Sequence, residues 1–158
     1  TTLPRLPVPV DSVIYTYKKK SAIVLEEGYY PGMFGQELPG LGDFLMIKMK
    51  KNGTWLKAAE DINLLSDQYI DGNYIYDGKL NVQKPFKKDD LVRFEFWSLS
   101  EDAFRFWEDI QTQLNNEGLF AVPSVNARTN LEKMTPQSMD IVGYFGASEV
   151  MVLETKVK

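Results

Sequence analysis

The sequence predicts a mainly β domain: a two-sheet sandwich of the immunoglobulin or fibronectin kind, with one amphipathic helix inserted before the last strand. Three observations carry that expectation. Seven to nine short runs of strand-like residues are separated by turn residues along the chain. A single stretch, about Glu101 to Leu114, repeats its apolar residues with the helical period of 3.6. Aromatic residues make up 13% of the chain, with tyrosine concentrated in the first half, which suits packed sheets better than a helical bundle. An open β-barrel is the alternative architecture.

Composition bounds the chemistry. At 158 residues, 44% hydrophobic and 25% charged, the chain is expected to form one ordinary domain with a real core rather than a disordered segment. A net charge of -4, with no basic cluster beyond Lys18-Lys19-Lys20, argues against nucleic acid or an anionic membrane surface as the main partner. That triple is read as a strand end or turn. The chain holds no Cys and no His. Thiol nucleophiles, disulfides, Ser-His-Asp triads, His or thiolate zinc sites and imidazole acid/base catalysis are therefore impossible within it. No signal peptide or transmembrane run is present, and the start at Thr1 without Met predicts a longer precursor.

Residues 1–10, with prolines at 4, 7 and 9, read as an extended linker from an upstream domain, and residues 11–158 as a single sandwich domain. Val13, Tyr15 and Tyr17 alternate with Ile14, Thr16 and Lys18 to give a first strand, and Ser21 to Glu26 gives a second. The stretches Gly28-Tyr29-Tyr30-Pro31-Gly32-Met33-Phe34-Gly35 and Leu38-Pro39-Gly40-Leu41-Gly42 are rich in breakers and read as a long loop. Phe44 to Lys50 and Thr54 to Ala58 flank Asn52-Gly53, which accommodates the positive dihedrals of a two-residue hairpin turn. Asp61 to Ser66 reads as one helical turn, Gln68 to Tyr76 as strand, turn and strand, and Lys79 to Val82 as an edge strand. Lys84 to Asp90 is a polar connection.

From Asp90 onward the pattern sharpens. In Leu91 to Trp97, apolar Val92, Phe94 and Phe96 alternate with Arg93, Glu95 and Trp97, as in a strand with one face in a core. Ser98 lies three residues before Glu101, the spacing of a reciprocal helix cap. Ala103, Phe106, Trp107, Ile110 and Leu114 then form the apolar stripe, and Gly118 is the expected helix terminator, with Phe120 buried beyond it. The segment Val122 to Asn130 reads as a fixed loop in which Asn126 and Asn130 tie the chain to the helix and last strand. Ile141 to Ser148 reads as a buried last strand whose small residues let another element approach.

Several residues are candidates for function. Glu26, Glu27, Asp43, Glu60, Asp61 and Asp71 are the type of group that glycosidase or aspartic-protease chemistry uses, but no two share a recognisable motif. Asp61, Asp67, Asp71 and Asn73 carry oxygen ligands suited to calcium, yet their spacing matches no known loop and reads as an acidic, turn-rich surface. No metal site or cofactor is expected. Trp55, Trp97, Tyr29, Tyr30, Phe34, Tyr74 and Tyr76 are set against core packing as candidates for stacking on sugars or receiving a protein partner. Trp97 is expected either exposed or against the helix, and Tyr29, Tyr30 and Phe34 on a surface loop.

The ordered pieces Phe104-Arg105-Phe106-Trp107, Gln113-Leu114, Gly118-Leu119-Phe120 and Pro123-Ser124-Val125-Asn126 carry a family resemblance. Thr129-Asn130, Gly143-Tyr144-Phe145-Gly146-Ala147-Ser148 and, upstream, Ile70-Asp71-Gly72 complete it. Together they resemble the C-terminal part of the Bacteroidetes outer-membrane lipoproteins catalogued as the domain of unknown function 4249 family. Val122 departs from the pattern, where the family tends to have a second proline, and Leu131 to Asp140 is long. The resemblance implies an exported protein, lipid-anchored through a segment before Thr1, whose partners are its own upstream domain and a TonB-dependent outer-membrane transporter. It supplies no catalytic residues. The function expected is a non-enzymatic binding module at the outer membrane or cell surface, with a glycan-binding module or a carboxylate-dependent hydrolase as alternatives.

Overall fold

The computed structural model describes residues 13–19, 27–115, 127–135 and 143–158. Among them the chain runs β1 (Val13–Lys19), β2 (Gly28–Gln36), β3 (Phe44–Lys51), β4 (Thr54–Trp55), β5 (Asn63–Ser66), β6 (Tyr74–Lys79), β7 (Leu91–Leu99), α1 (Glu101–Asn115) and β8 (Val150–Lys156). One antiparallel sheet has the order β1-β2-β6; the other is β4-β3-β7-β8, with β5 also pairing to β3. The mainly β, two-sheet architecture with one helix ahead of the last strand is as the alternation predicted.

The core lies between the two sheets and follows from strand period. On β3, Leu45, Ile47 and Met49 point inward, and on β7 Val92, Phe94 and Phe96 do the same; all are at most 2% exposed. Met33, Leu80 and Phe86 meet them from the other layer. Each large side chain buried this way contributes roughly 2 kcal/mol. The alternate residues of β3 and β7 form the opposite face, where Phe44, Met46 and Leu99 receive Ala103 and Phe104 of α1. The helix thus covers one end of the larger sheet's outer face.

Asn52-Gly53 makes the expected hairpin, with φ of 49° and 82°. Its side chain also clamps the start of β7: Asn52 Oδ1 accepts from the Leu91 amide at 2.8 Å, and Nδ2 donates to Asp90 Oδ1 at 2.8 Å. Asp90 Oδ2 accepts from the Lys87 amide at 2.7 Å and pairs with Lys51 Nζ at 2.9 Å.

The structure corrects several expectations. Gly28 to Gly35 is a strand, not a loop: β2 is the middle strand of its sheet. Its breakers answer local needs. A Cβ on Gly28 would sit 2.5 Å from Pro85 Cβ, a register shift falls between Met33 and Gly35, and Pro31, though lacking an amide proton, offers its carbonyl to the Leu80 amide. Asp61 to Ser66 is not a helical turn: a short 3-10 turn covers Ala59–Asp61 and β5 follows, drawn into extension by pairing with β3. Gln68 lies in a second 3-10 turn, Asp67–Tyr69, rather than a strand. Beyond β6 the chain leaves the sheet, so Leu80 to Val82 is no edge strand, and Leu80 turns into the core.

Two corrections concern the helix. The cap is Ser100, whose Oγ accepts from the Ala103 amide at 3.3 Å, because β7 runs two residues past Trp97. Ser98 is a buried strand residue bonded to Glu149. On α1, Ala103, Phe104 and Phe106 are buried and Trp107 and Ile110 half-buried, but Leu114, expected on the same apolar stripe, is 47% exposed. The last strand is also shifted. Residues 143–149 are irregular, and pairing to β7 starts at Val150 opposite Trp97, so β8 is Val150–Lys156. The linker 1–10, the strand Ser21 to Glu26, Gly118, Phe120, Pro123 and Asn126 fall outside the described residues.

Burial would raise the Asp90 carboxyl, but the Lys87 amide, Lys51 and Asn52 outweigh it and hold it below its ordinary value of 3.8. Asp90→Asn is expected to cost about 1 to 2 kcal/mol at neutral pH. Since folding lowers this pKa, that stabilisation is present above pH 3.8 and lost as pH falls through the folded value. Melting curves of wild type and variant should therefore be separated at pH 7 and converge in acid.

Candidate functional site

The outer face of the larger sheet that α1 leaves open is laid out by cross-strand register. Met46, Trp97 and Val150 form one row, Lys48, Glu95 and Val152 the next, and Lys50, Arg93 and Glu154 the third. Trp55 on β4 stands opposite Lys50. Lys48 Nζ lies 4.7 Å from the ring centres of both Trp55 and Trp97, and Lys50 Nζ lies 4.2 Å from that of Trp55. An ammonium between two indoles is held by the negative faces of both rings. Glu95, only 7% exposed, accepts from Arg93 Nε at 3.0 Å and from Trp97 Nε1 at 3.2 Å. The indole of Trp97 is thereby fixed at its edge by a carboxylate and at its face by a lysine.

Trp107 projects from α1 over this face and divides a cleft into two hollows. One, of about 190 Å³, is lined by Lys48, Trp97, Trp107, Tyr144 and the small residues Gly146 and Ala147. The other, of about 250 Å³, lies between Lys48, Lys57, Ile62, Trp107, Ile110 and Leu114. Tyr144 closes the first hollow: its ring stacks on Phe106 with centres 5.5 Å apart, and its hydroxyl meets Ser100 Oγ at 3.4 Å.

The segment that carries Tyr144 is clasped by the loop before it. Asn130 donates from Nδ2 to the Phe145 carbonyl at 2.7 Å and accepts the Phe145 amide on Oδ1 at 2.9 Å; Thr129 Oγ1 donates to the Gly143 carbonyl at 2.6 Å. This two-point amide clasp replaces the ladder hydrogen bonds of a strand: Asn130, expected to tie the loop to the helix and last strand, bonds instead to the irregular segment ahead of β8. It leaves Phe145 78% exposed.

Of the aromatic residues singled out in the sequence, Trp55 and Trp97 thus come together, and Trp107 and Tyr144 join them. Tyr29, Tyr30 and Phe34 do not. All three are half-buried on β2 rather than displayed on a surface loop; Tyr29 packs on the core and Tyr30 borders a separate hollow with Lys79 and Gln111. Tyr74 and Tyr76 meet with ring centres 4.7 Å apart and planes tilted by 56°, with Tyr76 82% exposed. Lys48 was missed by sequence reasoning, although its place two residues from Met46 and Lys50 on a confidently patterned strand already put it on the outer face.

The acidic candidates separate in the same way. Asp61 spends both oxygens on backbone, accepting from Ala58 at 2.9 Å and Gln83 at 2.8 Å, and Asp71 accepts from Gly40 at 2.6 Å. Glu27 and Glu60 are exposed, and Glu26 lies outside the described residues. Asp43 and Asp67 instead converge with Glu37, each offering a carboxylate oxygen within 4.8 Å of the others. All three are buried, at 9%, 4% and 1% exposure respectively. Glu37 was not among the sequence candidates, since it directly follows a glycine-rich stretch taken for a loop.

Asn130→Ala should release the segment around Tyr144. Chymotrypsin is expected to cut after the exposed Phe145 several times faster in the variant, with a melting loss equivalent to about 1 kcal/mol; equal cleavage rates would contradict the clasp.

The family model described as Domain of unknown function (DUF4249) matches residues 1–154. No curated protein and no solved structure gives a significant match. With nearly the whole length covered, the chain belongs to the DUF4249 family.

Proposed function

We propose that the chain is a non-enzymatic binding module whose working surface is the cleft between α1 and the outer face of the larger sheet. The observation that carries this is the convergence of Trp55, Trp97, Trp107 and Tyr144 around Lys48. Aromatic side chains with polar tips, fixed by neighbours before a partner arrives, give contact area at little cost in side-chain entropy. Lys48, Lys50 and Lys57 make the rim locally basic on a chain of net charge -4. The partner that fits is a protein surface presenting acidic and apolar groups.

In the setting that the family resemblance implies, the module belongs to an exported lipoprotein, lipid-anchored at the outer membrane or cell surface. There it works beside a TonB-dependent transporter. A glycan ligand is the second reading, favoured by the paired indoles. It is the weaker of the two because the Lys48 ammonium already occupies a face of both rings.

The test is copurification of the natural full-length protein from detergent-solubilised outer membranes. A transporter should accompany the wild type and fall at least tenfold with Trp97→Ala or Lys48→Glu, each checked by melting temperature to be folded. Undiminished recovery with both variants removes the cleft from the interaction. Quenching or enhancement of tryptophan fluorescence by an oligosaccharide, without transporter recovery, transfers the assignment to the glycan.

A further inference from the structure

We propose that Glu37, Asp43 and Asp67 form a binding site for one calcium ion at the end of the sandwich, between β2, β3 and the 3-10 turn that follows β5. Two stretches of chain bring the carboxylates together: the connection between β2 and β3, and the turn that follows β5. Glu37 follows the last residue of β2, Asp43 precedes the first of β3, and Asp67 opens the turn Asp67–Tyr69. Two hydrogen bonds tie Asp43 to Asp67: the Asp43 amide donates to Asp67 Oδ2 at 2.9 Å and the Asp67 amide to the Asp43 carbonyl at 3.2 Å.

Glu37 points to a ligand independently of the clustering. It is 1% exposed, and its Oε2 accepts from the Gly72 amide at 2.6 Å. Among the described residues that leaves Oε1 buried with no hydrogen-bond partner, on a carboxylate that meets the other two acids. An unpartnered buried oxygen forfeits its hydration for nothing, at a cost that native folds rarely leave uncompensated. Burial, above all, pushes the Glu37 carboxyl up; the Gly72 amide works against it, and Asp43, Asp67 and Asp71 add to the rise. A bound cation cancels each of these penalties together.

The chemistry of the donors and the room available select the ion. The chain has no His or Cys, so the ligands are oxygens, which suit hard cations. The cavity at the cluster holds about 10 Å³, space for roughly one water-sized sphere, and is otherwise walled by Met33, Leu45, Leu65, Ile70 and Ile75, with Ser66 the one further polar residue. Magnesium keeps several waters and strict octahedral geometry, for which an apolar wall gives no room. Calcium accepts irregular shells and bidentate carboxylates, so few protein groups can satisfy it.

The experiment is thermal melting and calorimetric titration of the whole chain after chelation, with calcium chloride and magnesium chloride as probes. Calcium is expected to bind with one-to-one stoichiometry and to raise the melting temperature by about 5 to 10 °C at a hundredfold excess over its dissociation constant. Magnesium should raise it less. Glu37→Gln keeps the side-chain shape and removes one buried charge. Without metal it should melt at or above the wild-type temperature, which shows that it folds, and its calcium response should be lost. Asp67→Asn is a second variant with the same expected loss. A calcium response equal in wild type and Glu37→Gln, a magnesium response as large as that of calcium, or no calcium response at all would overturn the proposal. In the last case a raised melting temperature for Glu37→Gln would identify the cluster as repulsion alone.

Discussion

The pairing of β3 with β7 is the constraint on which the rest of the molecule depends. Eight residue pairs, from Phe44 opposite Leu99 to Lys51 opposite Val92, hold the two strands in one register. Because side chains alternate with a period of two, that register divides every residue of both strands between two environments. Leu45, Ile47, Met49, Val92, Phe94 and Phe96 are sent between the sheets, and Met46, Lys48, Lys50, Arg93, Glu95 and Trp97 to the outer face. A slip of β3 by one residue would place Lys48 and Lys50 in the core and Leu45, Ile47 and Met49 in water.

The two faces then do different work. The inner face is uniform and apolar, and it supplies cohesion. The outer face is mixed, and its order comes from pairs: Lys48 against two indoles, Glu95 against Arg93 and Trp97, Tyr144 against Phe106. Such contacts add little to stability individually. They fix rotamers, and a surface whose side chains are already fixed loses less entropy on meeting a partner. The Asn130 clasp extends the same logic to backbone, since it presents Tyr144 and the small residues beside it without committing them to the sheet. At the end of the sandwich the balance runs the other way. There, Glu37, Asp43 and Asp67 hold like charge in a poorly hydrated place, which costs stability unless something of opposite charge joins them.

What could be read from the sequence was whatever repeats locally. Alternation from Val92 to Trp97, the helical period after Glu101 and the Asn52-Gly53 turn each depend on near neighbours, and each appears as expected. What could not be read depends on partners distant in the chain. Pro31 and Gly32 are strand residues because β1 and β6 flank them, and Gly28 is needed because Pro85 crosses it. Ser98 looks like a cap until Glu149 occupies its hydroxyl. The site follows the same division. Trp97 and Trp55 were visible as residues, but their meeting through Lys48 required the β4-β3-β7 register, and Glu37 gained meaning only when its own loop folded Asp43 back and the turn at Asp67 closed on both.

The strand register is the feature most open to direct measurement, because the chain has no cysteine of its own. Cysteines introduced singly into β3 and β7 on the outer face report which residues oppose one another, as directly paired positions have Cβ atoms about 5 Å apart and diagonal ones about 7 Å. Mild oxidation should close a disulfide in Lys50→Cys with Arg93→Cys, and leave Lys50→Cys with Glu95→Cys open. Closure in the second pair and not the first would contradict the register, and with it both the core and the aromatic cleft derived from it.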